Sequence, residues 1–229
     1  MPRVARVTIP GAPHHVTQRG NNRQVVFRTD DDRRAYLALL REQAEAYGLE
    51  VLGYCLMANH AHLVVVPRGP DSLAKAIGRT HWLYAQYVNR RRRRSGHLWQ
   101  GRFFSCALDE ARGWEVLRYV ERNPVRARIV RCAWRYPWSS AAAHCGAAAS
   151  GGLLAGDRWR RAWDAGRWKE WLRQPEGEEH VRALRVSTST GRPLGSDSFL
   201  SKLERTLGRR LRPRPVGRPK VTDKDRGNR

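Results

Sequence analysis

The most constraining feature of the sequence is a pair of apolar segments, residues 49–57 and 60–66, separated only by Ala58 and Asn59. Each segment has the length of a β-strand, and the second ends in the strongly apolar run Leu63 to Val66. A connection of two residues can join antiparallel strands, whereas parallel strands need a long crossover. The chain is therefore expected to fold around an antiparallel hairpin whose second strand is the more buried.

Further elements surround this hairpin. Residues 13–19 and 97–108 read as two more strands, and a helix starting at Asp109-Glu110 and reaching Arg122 follows the last of them. Helical spacing of apolar residues predicts two earlier helices, one from Asp30 to Gly48 and one from Asp71 to about Asn89. The order strand, helix, strand, strand, helix, strand predicts an α+β fold with a ferredoxin-like antiparallel sheet and helices on one face.

The composition changes after residue 145, which suggests a division into a domain at 1–145, a helical basic extension at 146–211 and a disordered basic tail at 212–229. Four tryptophans lie between residues 157 and 173, and we expect Gly166 to split that segment into two short helices. Their rings are interpreted as a small satellite core in preference to a platform for stacking bases. A last helix is predicted from the Ser196-Asp197 cap through Leu211.

Charge indicates the class of partner. The chain has 44 Lys and Arg against 21 Asp and Glu, a formal net charge of +23, which favours a nucleic acid as the partner. There is no apolar run long enough to span a membrane, no phosphate-binding loop for a nucleotide cofactor, and no Cys-x-x-Cys pair. The N-terminal residues contain no apolar signal core, so we expect a cytoplasmic protein without a membrane partner.

His60 and His62 begin the second strand of the hairpin. Residues two apart in a strand face the same side, so both imidazoles should project together and could bind one divalent metal ion. Such a pair is more often an edge or core pair than a metal site. Its position at the start of an otherwise apolar strand favours a functional role, because buried imidazoles need partners.

Tyr119 and Asn123 lie four residues apart and so share one face of the helix after the fourth strand. A tyrosine hydroxyl can act as a nucleophile when the attacked phosphorus is activated, and an amide oxygen can serve as a third metal ligand. Taken alone, Tyr119 is more typical of a core residue; the histidine pair gives it significance.

Four segments carry a resemblance to a known family. They are residues 13–23 (PHHVTQRGNNR), 54–63 (YCLMANHAHL), 96–103 (GHLWQGRF) and 118–127 (RYVERNPVRA). Their order and spacing resemble those of the REP-associated tyrosine transposases, a branch of the single-tyrosine HUH transposases. The chain departs from the pattern at Ala58, where relatives often have proline, and this should change turn rigidity more than chemistry.

The resemblance implies an HUH nuclease fold in which His60 and His62 are the paired metal ligands, Tyr119 is the nucleophile, and Asn123 completes the metal site. It also implies Mg²⁺ or Mn²⁺ as cofactor and single-stranded DNA with a REP-like hairpin as substrate, cut through a 5′-phosphotyrosine intermediate. Relatives include monomers and dimers that swap the tyrosine helix, and the long C-terminal extension favours the monomer.

Several polar, basic and aromatic residues are candidates for contact with DNA. Trp99 and Phe103 could stack on bases or fill the core, with equal weight, while arginines suit phosphate. His14 and His15 are interpreted as structural. The candidates are Arg19, Asn22, Arg23, Trp99, Gln100, Arg102 and, in a short Gly-Arg-Pro match to an AT-hook, Arg218.

The sequence thus predicts a metal-dependent single-stranded DNA endonuclease and strand transferase. The alternative is a non-catalytic DNA- or RNA-binding regulator on the same fold. Retention of both histidines together with Tyr119 favours the enzyme, because a pure binder needs none of the three.

Overall fold

The computed structural model describes residues 6–147 and 151–212. Its strands are β1 (His14–Arg19), β2 (Leu49–Met57), β3 (His60–Pro67) and β4 (Phe104–Ala107). The hairpin of β2 and β3 lies at one side of a four-stranded antiparallel sheet with the order β2-β3-β1-β4. This order and the antiparallel pairing confirm the ferredoxin-like sheet.

The helices of the described ranges belong to the sheet domain and to the extension. In the first part of the chain they are α1 (Asp30–Ala46), α2 (Ser72–Arg91), α3 (Glu110–Glu121), α4 (Asn123–Arg126) and α5 (Ala141–His144). In the extension they are α6 (Gly156–Ala162), α7 (Ala165–Arg173), α8 (Glu178–Thr190) and α9 (Asp197–Leu207). None of them has the length and hydropathy required to cross a membrane.

Helices α1 and α2 cover one face of the sheet, as predicted. On β3, Ala61, Leu63 and Val65 point into the core that these two helices share with the sheet. Helix α1 begins after Thr29, whose side chain accepts from the Asp32 amide while the Asp32 carboxylate accepts from the Thr29 amide. The predicted acidic first turn is present, with the cap one residue earlier than expected.

Helix α3 packs on the opposite face, so the expectation of helices on one face holds for α1 and α2 only. There, Val64 and Val66 of β3 contact a second core formed with α3 and the extension. The close approach of β2 to α3 depends on Gly53, where a Cβ atom would lie 2.3 Å from Leu117 Cδ1.

The extension completes this second core. Trp168 is fully buried, and the rings of Trp163 and Trp171 stack at 4.8 Å beside it, which confirms the satellite-core interpretation of the tryptophans. The indole Nε1 of Trp168 donates to the carboxylate of Glu121, which also accepts from Ser140 and His144. One buried carboxylate therefore ties together α3, α5 and α7.

Three sequence expectations need correction. The fourth strand covers only Phe104–Ala107, because the preceding residues enter the α1–α2 core. The break in the tryptophan segment falls at Trp163 and Asp164, where Asp164 caps α7, and Gly166 lies inside α7. The last helix ends at Leu207 because Gly208 adopts a left-handed conformation. Helix α8 was not predicted. The expected disordered tail after Arg212 lies outside the described residues.

Candidate active site

A cavity of about 650 Å³ opens on the face of the sheet that carries α3. Strands β1 and β3 form its floor, α3 and α4 form one wall, and α8 of the extension contributes to the rim. The lining includes the predicted metal ligands, the predicted nucleophile and several candidate DNA contacts: His60, His62, Tyr119, Asn123, Arg19 and Gln100, together with His15, Thr17, Gln18, Met57, Phe104, Arg126, Ala127, Arg185 and Thr188.

The two histidines project together from β3, as the alternation of the strand predicts. Their ring centroids are 4.9 Å apart. His62 lies opposite Thr17 of β1 in the antiparallel register, and His60 lies opposite Arg19. Both imidazoles therefore face the cavity side of the sheet, away from α1 and α2.

Tyr119 lies on this same side. Its ring centroid is 6.2 Å from that of His62 and 6.1 Å from that of His15. The side chain is 5% exposed and lines the cavity. The guanidinium of Arg126 lies 3.9 Å from the centre of the phenol ring and donates to the Tyr119 carbonyl oxygen at 2.7 Å. The fold thus brings together residues almost sixty positions apart in the sequence.

Hydrogen bonds fix which nitrogen His60 offers to the cavity. The Asn59 Nδ2 group donates to the Arg23 carbonyl at 3.2 Å, which orients the Asn59 amide so that Oδ1 faces His60. That oxygen is 2.6 Å from His60 Nδ1, so Nδ1 is the protonated nitrogen. No hydrogen bond is found to His60 Nε2 within the described ranges, and this atom is left with its lone pair.

His62 shows the same pattern through a different partner. Its Nδ1 atom lies 3.0 Å from His15 Nε2. Its own Nε2 has no hydrogen-bond partner among the residues that the structure describes. Metal-binding histidines commonly use one ring nitrogen for the metal while the other is held by a hydrogen bond, so both side chains fit that role.

Burial keeps these imidazoles neutral. It lowers the pKa of His60 to about 4, with a further contribution from the positive charge of Arg19. Burial and the neighbouring His60 and His15 rings hold the pKa of His62 well below its usual value, and burial lowers the pKa of His15 to about 3. Neutral imidazole has the free lone pair that a metal requires.

Asn123, the predicted third ligand, lines the same cavity as the histidines. Its Nδ2 group donates to the Val120 carbonyl at 3.3 Å, and no hydrogen bond to its Oδ1 atom is found within the described ranges. In the described part of the chain, there is no group of three or more His, Cys, Asp or Glu side chains that could hold a metal ion. The candidate donors that line the cavity are two imidazoles and one amide oxygen, residue types that can bind a divalent ion.

The candidate DNA contacts differ in where the structure places them. Arg19 and Gln100 line the cavity, and Asn22 and Arg23 lie exposed in the turn that meets Asn59. Arg102 is exposed outside the cavity lining, and Arg218 lies outside the described residues.

Trp99 is 8% exposed and packs in an aromatic cluster with Phe27, Tyr36 and Tyr84, and its Nε1 atom donates to the His81 carbonyl. This position favours the packing alternative for Trp99. The exposed aromatic ring on the cavity wall is instead Phe104, which is 45% exposed.

Sequence reasoning missed several residues of the cavity lining, among them His15, Phe104, Arg126, Arg185 and Thr188. Arg126 follows Tyr119 by seven residues, but the helix was predicted to end at Arg122, so helical spacing did not connect the two residues. His15 was interpreted as structural, and it proves to be the partner of His62. No sequence signal connects the α8 residues with the histidine pair, because 123 positions separate Arg185 from His62 and only tertiary contacts bring them together.

The family models and the solved structures both contain matches to this chain. The family model described as "Transposase IS200 like" matches residues 10–123. A solved REP-associated tyrosine transposase bound to a REP hairpin is 18% identical, with a TM-score of 0.56 over 69% of this chain and 93% of its own. A putative transposase from Deinococcus radiodurans R1 is 19% identical over 53% of this chain and 94% of its own, with a TM-score of 0.36. No curated protein matches the chain.

Proposed function

The chain belongs, through residues 10–123, to the IS200-like transposase family, and we propose that it is a metal-dependent endonuclease and strand transferase acting on single-stranded DNA near a hairpin. The observation that carries this proposal is the placement of Tyr119 and two neutral histidines around one cavity on the same face of the sheet. A regulator that only bound DNA would need neither the free Nε2 atoms nor the phenol beside them.

In this proposal His60 and His62, through Nε2, and Asn123, through Oδ1, would hold Mg²⁺ or Mn²⁺. The bound ion would supply Lewis-acid polarisation of the scissile phosphate oxygen. The protein contributes by presenting two neutral imidazoles that burial keeps unprotonated near neutral pH. The hydrogen bonds at the two Nδ1 atoms hold the rings in place, so that little reorganisation is needed when the ion binds.

Tyr119 then acts as the nucleophile. Its phenol oxygen forms a bond to phosphorus, the bond from phosphorus to the 3′ oxygen breaks, and the 3′ oxygen leaves as a hydroxyl while the phenol loses its proton. The product is a 5′-phosphotyrosine link, which preserves the energy of the phosphodiester for later attack by another 3′-hydroxyl. Arg126, held over the ring, places positive charge beside the reacting phosphate.

The DNA strand is proposed to cross the cavity mouth. Phe104 offers an exposed ring for stacking on a base, and Arg19 and Gln100 offer hydrogen-bond donors beside it. Asn22 and Arg23 extend this surface past the β2–β3 turn, and Arg102 is assigned to a phosphate contact. Arg218, which lies outside the described residues, stays a predicted minor-groove contact. The REP hairpin bound by the solved relative supports a hairpin as the substrate.

One chain supplies the whole proposed centre, because Tyr119 reaches the histidines of its own sheet. This supports a monomer as the active form, in preference to a dimer that exchanges the tyrosine helix. The cytoplasmic location stays a prediction.

The test is formation of a covalent adduct. The protein is incubated with labelled single-stranded DNA containing a hairpin, with Mn²⁺, and the products are separated on a denaturing gel. We expect an adduct that is lost in Tyr119→Phe and His60→Ala. The matched controls Tyr47→Phe and His97→Ala change exposed residues outside the cavity lining and should retain it. DNA binding without any adduct, across a panel of hairpins, would instead support the non-catalytic regulator.

A further inference from the structure

His62 is the end of a chain of hydrogen bonds that begins in α8. The Thr188 hydroxyl lies 2.8 Å from the Leu184 carbonyl, one turn earlier in the helix, and 2.8 Å from His15 Nδ1. His15 Nε2 in turn lies 3.0 Å from His62 Nδ1. The chain therefore runs from the C-terminal extension, through β1, to the histidine pair on β3.

The direction of every proton in this chain follows from its first link. A backbone carbonyl only accepts, so the single hydroxyl proton of Thr188 is directed to the Leu184 oxygen. The Thr188 oxygen must then accept from His15 Nδ1, which makes Nδ1 the protonated nitrogen of His15. Its Nε2 atom is consequently an acceptor, and the proton between the two imidazoles belongs to His62 Nδ1.

The opposite direction of the protons would leave the contact between Thr188 and the Leu184 carbonyl without a hydrogen atom. If Thr188 donated to His15, its oxygen and the Leu184 carbonyl oxygen would face each other at 2.8 Å with no hydrogen between them. Thr188 is 9% exposed and His15 is 2% exposed, so water has little access to replace the lost bond. Buried polar atoms without partners are costly, which favours the arrangement above.

We propose that Thr188 and His15 are positioning residues that hold His62 in the tautomer with its proton on Nδ1, so that the Nε2 lone pair faces the metal position. The C-terminal extension is thereby part of the metal site, although it supplies no ligand. This inference rests on the proposed role of His62 as a ligand.

The test is the substitution Thr188→Val, which keeps the branched shape and removes the hydroxyl. Without that acceptor, His15 loses the bond that fixes its proton on Nδ1 and can donate from Nε2 to His62. We expect long-range ¹H–¹⁵N spectra of the metal-free protein, labelled at its histidines, to show loss of the pure Nδ1-protonated form of His62. The Mn²⁺ dissociation constant, measured by titration, should rise about tenfold, as is typical when the partner of a ligating histidine is lost.

Two further variants separate this effect from a general disturbance of α8. Thr190→Val makes the same chemical change on the same helix, removing a hydroxyl that donates to the Val186 carbonyl at 2.9 Å, and should leave the His62 tautomer and Mn²⁺ binding unchanged. Thr188→Ser restores a hydroxyl and should restore both. A His62 that keeps its Nδ1 proton in Thr188→Val would overturn the inference, as would an equal change in Thr190→Val. Failure of Mn²⁺ to bind the parent protein would overturn the proposed function instead, and the tautomer measurement would still decide the inference.

Discussion

Replacement of Gly53 by alanine should destabilise the protein by forcing β2 away from α3. A Cβ atom at position 53 would lie 2.3 Å from Leu117 Cδ1 and 2.6 Å from Ser140 Oγ, whereas carbon atoms in contact are normally about 3.5–4.0 Å apart. Neither neighbour is free to move. Leu117 is fully buried, and Ser140 Oγ is 2.5 Å from the Glu121 carboxylate and accepts from the Tyr54 amide.

The expected size of the effect follows from these overlaps. Overpacking a well-packed core costs about 1–3 kcal/mol, and two fixed neighbours place this site at the upper end. Replacing glycine also lowers the conformational entropy of the unfolded chain, which raises the free energy of unfolding by about 0.4–1 kcal/mol. The net loss in the free energy of unfolding should therefore be about 2 kcal/mol. Because Leu117 precedes Tyr119 by two residues in α3, adduct formation should fall as well.

Urea denaturation followed by circular dichroism measures this loss, and Gly78→Ala provides the control. Gly78 lies inside α2, and a Cβ atom there would meet nothing within 4 Å. Alanine is the better helix former, so this variant should gain about 0.5–1 kcal/mol. The two variants make the same chemical change and should move the midpoint in opposite directions. A Gly53→Ala protein as stable as the parent would refute the packing argument.

Three other predictions follow from buried and exposed side chains. Glu121→Ala leaves the buried Trp168 Nε1 and His144 Nδ1 donors without an acceptor, while the Ser140 hydroxyl can still donate to the Tyr54 carbonyl at 3.3 Å. It should lower the free energy of unfolding by at least about 2 kcal/mol in urea denaturation; a smaller loss would mean that the cluster contributes little. Burial lowers the pKa of His81 to about 3, so below pH 6.5 a proton binds the unfolded state more tightly than the folded state. The free energy of unfolding is therefore unaffected above pH 6.5 and should fall by about 1.4 kcal/mol per pH unit as the pH drops from 6.5 toward 3. His81→Gln should remove this part of the dependence of the free energy of unfolding on pH between pH 6 and 4. An unchanged dependence would contradict the conclusion that His81 is buried in its neutral form. Phe104→Ala should weaken binding of single-stranded DNA about tenfold in fluorescence anisotropy, whereas Trp82→Ala, which removes a 51% exposed ring outside the cavity lining, should not; equal losses would argue against stacking on Phe104.

The sequence was sufficient for elements whose signal is local. The bounds of β2 agree with the prediction, and β3 exceeds it by one residue, because apolar content and a two-residue turn define a hairpin without tertiary information. The joint projection of His60 and His62 follows from strand alternation alone. The position of Tyr119 could not be predicted from the local sequence, because only the packing of α3 decides which face of the sheet this side chain meets.

The failures have a common physical cause, which is that tertiary contacts decided the outcome. Residues 97–103 have the apolar content of a strand, yet they lie outside β4, and Leu98 and Trp99 pack in the core against α1 and α2. His15 has the alternation of any strand residue, and its role depends on Thr188, which lies 173 positions away in a helix that the sequence did not reveal.

In the proposed centre, two imidazoles and one phenol surround a single cation position. Anomalous diffraction from crystals soaked in Mn²⁺ tests this arrangement most directly. One strong peak is expected within bonding distance of Nε2 of both His60 and His62, on the side of the sheet that carries Tyr119. A peak bound elsewhere, or at the Nδ1 atoms, or no peak at a saturating Mn²⁺ concentration, would contradict it.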